Sequence, residues 1–113
     1  MNTVTLSVAT REQTNARFLA AVKGTPQGSH ISFATPELLW KTLTQRRWEL
    51  LKAITGQGVM SIREVARRVE RDVKAVHGDV TALINAGVID RTDRGVVFPY
   101  DAIHVDFVLE KAA

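Results

Sequence analysis

The residues of this sequence whose types and spacing suggest a binding chemistry are the basic and small residues between Arg63 and Arg94. Arginine and lysine donate hydrogen bonds to phosphate oxygens and to the edges of bases. Alanine and glycine on a helix surface let a partner approach the backbone closely. We expect contacts to DNA from nine residues: Arg63, Arg71, Lys74, Ala75, His77, Gly78, Thr81, Arg91 and Arg94.

The elements that must position these residues can be predicted between Ser61 and Phe98. Ser61-Ile62-Arg63-Glu64 has the form of a capping box, which predicts a helix start. A polar turn, Glu70-Arg71-Asp72, separates this helix from a second one that runs from Asp72 to Ala86 and stops at Gly87. Two extended runs then flank the turn Asp93-Arg94-Gly95. This order predicts an α+β fold of the winged helix-turn-helix type, whose second helix enters the DNA major groove.

The second helix has two distinct faces when its residues are placed at 100° intervals. An apolar stripe is formed by Val73, Val76, Val80, Leu83 and Ile84. The opposite side carries Arg71, Lys74, Ala75, Gly78, Ala82 and Asn85, with Thr81 beside it and His77 and Asp79 near the boundary. An exposed glycine inside a helix costs about 1 kcal/mol relative to alanine. We therefore expect a partner to approach this face.

Several alternatives stay open for these side chains. Gly78 could be a neutral substitution with no function. Alternatively, the helix face that bears the small side chains could pack on another helix rather than on DNA. Arg63 is well placed for a phosphate, whereas Arg91 and Arg94 could serve either DNA contact or solubility. We interpret four other arginines as exposed helix residues: Arg46, Arg47, Arg67 and Arg68. We interpret Trp40 and Trp48 as core residues.

The rest of the chain predicts an N-terminal extension, residues 1–30, ahead of the winged-helix domain, residues 31–113. In the extension we expect a strand over Thr3–Val8, a helix from Thr10 to Gly24 and a loop up to His30. The domain adds helices that begin at Thr35 and at Thr44, and a last strand with Ile103, Val105, Phe107 and Leu109 on one face. The extension is a candidate dimerisation or partner-binding element. Strands at both ends of the chain predict pairing, either between two subunits or within one chain.

Composition narrows the function classes. The 113 residues include no cysteine, which excludes a disulfide framework and a thiolate metal site and fits a reducing cytoplasm. Of the 15 Lys and Arg and the 12 Asp and Glu, residues 1–60 carry seven and three, and residues 61–113 carry eight and nine. The candidate DNA-binding half is therefore not basic overall. We find no membrane-spanning run, signal peptide, phosphate loop, metal spacing or nucleophile context, and expect no cofactor and no enzyme activity.

The sequence resembles small prokaryotic predicted transcriptional regulators. The resemblance covers most of the chain from about residue 30 onward, and is carried by Phe33, Pro36-Glu37, Leu43-Thr44, Arg46-Arg47-Trp48, Ser61-Ile62-Arg63-Glu64-Val65-Ala66-Arg67, Arg71-Asp72-Val73-Lys74-Ala75-Val76-His77, Asp79-Val80, Leu83, Gly87-Val88-Ile89 and Phe98-Pro99-Tyr100-Asp101. Members of this group are often encoded beside a small toxin. The resemblance therefore implies an autoregulating antitoxin that binds its operator and a toxin partner.

From these observations we expect a cytoplasmic homodimer that reads an inverted repeat, with half-sites about one helical turn apart. The alternative is a winged-helix protein-docking module whose main role is to neutralise a partner protein. Its best support is the balanced charge of residues 61–113.

Overall fold

The computed structural model describes residues 2–8 and 29–106. In this part of the chain the helices are α1 (Pro36–Thr42), α2 (Gln45–Ile54), α3 (Ile62–Val69) and α4 (Val73–Asn85). The strands are β1 (Thr3–Val8), β2 (Ser29–Phe33), β3 (Asp90–Thr92), β4 (Gly95–Val97) and β5 (Ala102–Asp106). The predicted α+β class is confirmed. The predicted helix from Thr10 to Gly24, most of the loop after it, Phe107 and Leu109 lie outside the described residues.

The terminal strands pair with each other inside one chain. β1 is the central strand of a three-stranded sheet of order β2-β1-β5, and it runs parallel to both neighbours, with Leu6 opposite Ile31 and Val105. Just before β5, the Asp101 carboxylate accepts a hydrogen bond from the backbone N–H of Asn2 at 3.0 Å. The side-chain Nδ2 of Asn2 donates to the backbone carbonyl of Pro99 at 2.8 Å. Of the two alternatives that the sequence left open, pairing within one chain is the one observed.

A threonine hydroxyl caps the start of each of the two helices that follow β2 in the chain. Thr35 Oγ1 accepts a hydrogen bond from the Leu38 amide at 3.1 Å, and Pro36 occupies the first helical position. Thr44 Oγ1 accepts from the Arg47 amide at 3.4 Å, so α2 is a separate helix. Both predicted helix starts are confirmed.

The core lies where α2, α3 and α4 pack on one another and where α1 packs on β1 and β2. Its fully buried side chains include Leu6, Leu39, Leu50, Leu51, Ile54, Val65, Val76, Val80, Leu83, Ile89 and Phe98. Two predictions about the core are wrong. Val73 is 43% exposed because it is the first residue of α4, and Trp40 on α1 is 50% exposed rather than part of the core.

The β3–β4 hairpin is joined to the chain just ahead of α3. Met60 and Val96 exchange two backbone hydrogen bonds, of 2.9 and 2.8 Å. Gly95 has φ +147°, and a Cβ there would lie 2.1 Å from the Met60 carbonyl oxygen, so only glycine allows this approach. None of the described helices is long and apolar enough to cross a membrane.

Candidate nucleic-acid interface

The turn between α3 and α4 fixes the direction in which α4 leaves. Ser61 Oγ caps α3 by accepting from the Glu64 amide at 3.1 Å. Glu70 ends this helix in the left-handed conformation, with φ 54° and ψ 48°, and its amide donates to the carbonyls of Ala66 and Arg67. Asp72 then caps α4, since its carboxylate accepts from the amides of Lys74 at 3.0 Å and Ala75 at 3.3 Å.

The outer face of α4 is exposed and bears small side chains. Lys74, Ala75, His77 and Gly78 are all exposed, while Val76, Val80 and Leu83 on the other side are fully buried. A Cβ added at Gly78 would meet nothing within 4 Å. The space above the middle of this helix is therefore open, and no internal packing requires glycine at this position.

Arg71 was expected on this outer face, and the expectation is wrong. Its side chain is 14% exposed, and Nη2 donates to Asp79 Oδ2 at 2.7 Å. Arg71 precedes the first residue of α4, so extrapolating helical rotation to it is invalid. The left-handed Glu70 turns the chain there and directs Arg71 towards the protein.

Arg47 meets the same carboxylate from α2, although the sequence suggested an ordinary exposed residue. Its Nε donates to Asp79 Oδ1 at 3.1 Å and its Nη1 donates to the carbonyl of Thr42 at 3.0 Å. Asp79 therefore joins α2, the α3–α4 turn and α4. Burial raises the pKa of Asp79, but hydrogen bonds from Arg71 and then Arg47 outweigh burial, and the pKa lies below the ordinary 3.8.

Thr81 was also predicted to contact DNA, but its Oγ1 is buried and has no hydrogen-bond partner among the described residues. This atom cannot reach a base or a phosphate in the observed conformation. The sequence placed Thr81 beside the outer face from its 100° helical position alone. That position does not show which neighbouring residues cover the side chain.

The hairpin presents two of the predicted arginines. β3 and β4 pair antiparallel, with Arg91 opposite Val96, and both Arg91 and Arg94 are exposed. Thr92 organises the turn, because its hydroxyl donates to the Gly95 carbonyl at 3.3 Å and accepts from the Arg94 amide at 3.2 Å. The sequence predicts this turn from Asp93-Arg94-Gly95, and in the structure the side chain that bonds the turn backbone is that of the preceding Thr92.

Glu64 neutralises the basic run on α3. The capping-box form predicts that its carboxylate returns to the helix start, but the carboxylate accepts hydrogen bonds from Arg67 and Arg68 instead. Hydrogen bonds from Arg67 and then Arg68 lower the pKa of Glu64 from 4.5 to about 2. Both arginines are thereby paired, as expected of a solvated helix surface.

The predicted site residues thus divide into two groups. Four of the predicted residues are exposed cations with no ion-pair partner in residues 2–8 and 29–106: Arg63, Lys74, Arg91 and Arg94. Together with Ala75, His77 and Gly78 they form the exposed set, whereas Arg71 and Thr81 are covered. Within the described residues 2–8 and 29–106, no group of three or more His, Cys, Asp or Glu could hold a metal ion.

Sequence reasoning missed Asp79 and Arg47 because their pairing links residues 32 positions apart on different helices. Their charges gave no local signal of burial.

Comparison with known proteins assigns the chain to a family. No curated protein and no solved structure matches this chain. A sequence model of one family matches residues 42–105, which is more than half of the chain and includes α2, α3, α4, the hairpin and most of β5. On that match, this chain belongs to the HVO_A0114 family.

Proposed function

We propose that this chain is a winged helix-turn-helix protein that binds double-stranded DNA and regulates transcription. The order of α2, the Met60 bridge, α3, α4 and the β3–β4 hairpin supports a winged-helix interpretation. In this assignment α4 enters the major groove and the hairpin is the wing. The observation that carries the proposal is the exposed outer face of α4, on which Lys74 is unpaired and Gly78 leaves open space.

The exposed cations take different roles in this proposal. Lys74 lies in the first turn of α4, the part of a recognition helix that contacts bases and nearby phosphates. Arg63 near the start of α3 and Arg91 and Arg94 on the wing bind phosphates, which sets position rather than sequence. Arg71 holds Asp79 and does not contact DNA directly.

The balanced charge of residues 61–113 limits the number of phosphate contacts. The four unpaired cations of the proposed interface predict that log K falls with log [salt] with a slope of about −3 to −4 per chain. A protein-docking face would show a much smaller salt dependence. The slope therefore separates the proposed function from the docking alternative.

Lys74→Ala is the direct test of DNA contact. We expect affinity to fall about tenfold and the salt slope to lose about one unit, because one phosphate or base contact is removed. The measurement is fluorescence anisotropy on duplexes that the wild-type protein selects from a random-sequence pool. Lys41→Ala, an exposed lysine in the last turn of α1, is the matched control and should bind like wild type.

Equal affinity and equal slope for Lys74→Ala, Lys41→Ala and wild type would contradict α4 as the reading helix. Failure of the wild-type protein to select any duplex at low salt would contradict DNA binding itself.

Gly78→Ala should change stability and DNA binding in opposite directions. The free energy of unfolding should rise by up to about 1 kcal/mol, since alanine is the better helix former and its Cβ meets nothing in the free protein. Affinity for the selected duplex should fall, because the methyl group would lie between the helix backbone and the groove. Urea unfolding and anisotropy on the same samples check both. A Gly78→Ala variant that is more stable and binds the duplex as tightly as wild type would show that glycine at this position is a neutral substitution with no role in DNA binding.

A further inference from the structure

A groove with an apolar floor lies between α1, α2 and β5, on a part of the molecule that the DNA proposal does not use. Its volume is about 810 Å³, and its apolar lining comes from Trp40, Leu43, Trp48 and Ile103. We call it the tryptophan groove. Both tryptophans of the chain line it, and Trp40 is 50% exposed. An exposed aromatic surface of this kind is typical of a protein-binding site.

The groove lies on the outer side of α2. At 100° per residue, Trp48, Glu49 and Lys52 fall on the side opposite the buried Leu50 and Ile54. Arg47, which reaches Asp79 on α4, also belongs to the buried side. The groove residues of α2 therefore face away from α4, so an occupant of the groove leaves the exposed face of α4 uncovered.

Two opposite charges stand one helical turn apart on α2, at positions that line the groove. Glu49 and Lys52 are both exposed, and neither side chain has a hydrogen-bond or ion-pair partner in the described part of the chain. If two α2 helices cross antiparallel about a two-fold axis, Glu49 of each chain faces Lys52 of the other. The charge pattern is therefore complementary to itself.

We propose that the tryptophan groove is the interface of a homodimer, formed with a second copy of this chain. A two-fold interface uses the same patch on both subunits and therefore needs self-complementary charge, which Glu49 and Lys52 supply around an apolar centre. An unrelated helix would have to present the complementary order of charges on its own surface, whereas a second copy of this chain supplies that order with the same two residues. The proposal assigns dimerisation to α1 and α2 rather than to the terminal strands, which pair within one chain.

Charge reversal on α2 tests this interface. Glu49→Lys places two lysines per subunit against two lysines, and Lys52→Glu places two acids against two acids. Each single variant should raise the dimer dissociation constant roughly tenfold or more, because two attractive pairs become repulsive. Sedimentation velocity gives the oligomeric state, and circular dichroism confirms that these exposed substitutions leave the fold intact.

Mixing the two single variants should restore association as a heterodimer, since every contact again pairs a lysine with a glutamate. The double variant Glu49→Lys/Lys52→Glu should dimerise like wild type for the same reason. Asp90→Lys on the hairpin changes the net charge as much as Glu49→Lys does and should leave the dimer unchanged. Tryptophan emission should shift to shorter wavelength as wild-type concentration rises, because association removes water from both rings.

A wild-type protein that stays monomeric at millimolar concentration would overturn the proposal. So would a dimer that both single variants form as tightly as wild type, or single variants that fail to associate when mixed. None of these readouts involves DNA, so the dimer interface and the proposed DNA binding can fail separately.

Discussion

Val80→Asp is expected to unfold the protein under conditions in which the wild type is folded. Val80 is fully buried on the inner face of α4, beside Val76 and Leu83. A carboxylate there would lose its hydration without gaining a partner, which costs several kcal/mol. We expect the free energy of unfolding to fall by at least about 4 kcal/mol, a large part of the total stability of a small domain. Urea unfolding followed by circular dichroism measures it.

Val73→Asp is the matched control for this variant. It makes the same substitution in the same helix, but Val73 is 43% exposed and occupies the first helical position. A carboxylate at the start of a helix is favoured by the helix dipole, so the change in unfolding free energy should stay within about 0.5 kcal/mol. Equal melting of Val80→Asp and wild type would mean that α4 is rotated from the orientation described here.

The order of the elements could be predicted because each one carries a local signal. Ser61, Thr35 and Thr44 are hydroxyl residues at helix starts, and each caps as predicted. The apolar stripe of α4 is confirmed in its interior, since helical rotation holds wherever the helix is continuous. The stripe fails at Val73, where the helix begins and no neighbouring element covers the side chain.

The errors in the candidate site arise where long-range packing decides. Arg71 was assigned to the outer face by extending helical rotation across a turn in which Glu70 is left-handed. A pattern of residue types cannot report that φ value. Arg47 and Trp40 were misplaced for a related reason: their exposure depends on which element lies beside them, and the sequence does not state this. DNA binding, the antitoxin role, the toxin partner and the homodimer stay predictions.

The covered position of Arg71 also changes which variants can test DNA contact. Removing its side chain would leave Asp79 with Arg47 as its remaining ion-pair partner among the described residues, and would disturb the α3–α4 turn. Loss of DNA binding in an Arg71→Ala variant could then come from a displaced α4. Lys74, which is exposed and unpaired, gives the cleaner test.

Among substitutions that remove the charge of an ionised side chain in the described residues, Asp79→Asn should be the most destabilising. The asparagine keeps the shape of the side chain but removes the negative charge that Arg71 and Arg47 share. Arg71 is 14% exposed, and its Nε and Nη1 already have no partner among the described residues, so its charge would be buried without compensation. Removing one partner of a buried ion pair costs about 3 kcal/mol or more, and partial exposure of this network places the expected loss at about 2–3 kcal/mol.

The pH dependence identifies the source of that loss. Because the folded-state pKa of Asp79 lies below the ordinary 3.8, its ionisation contributes stability that is fully present above that value and is lost as the pH falls through the lower folded pKa. The difference in unfolding free energy between wild type and Asp79→Asn should therefore be constant near neutral pH and shrink below pH 3.8. Urea titrations across this range measure it, and a difference that does not change with pH would point to altered packing instead of lost charge.

Glu64→Gln is the control that separates buried from exposed pairing. Glu64 also accepts hydrogen bonds from two arginines, Arg67 and Arg68, but the group is at the surface, where water and salt screen the attraction. Its substitution should cost much less than that of Asp79, although the chemistry removed is the same. If both variants lost the same stability, the Asp79 network would contribute no more than a surface ion pair. The packing of α2 against α4 would then depend on apolar contacts alone.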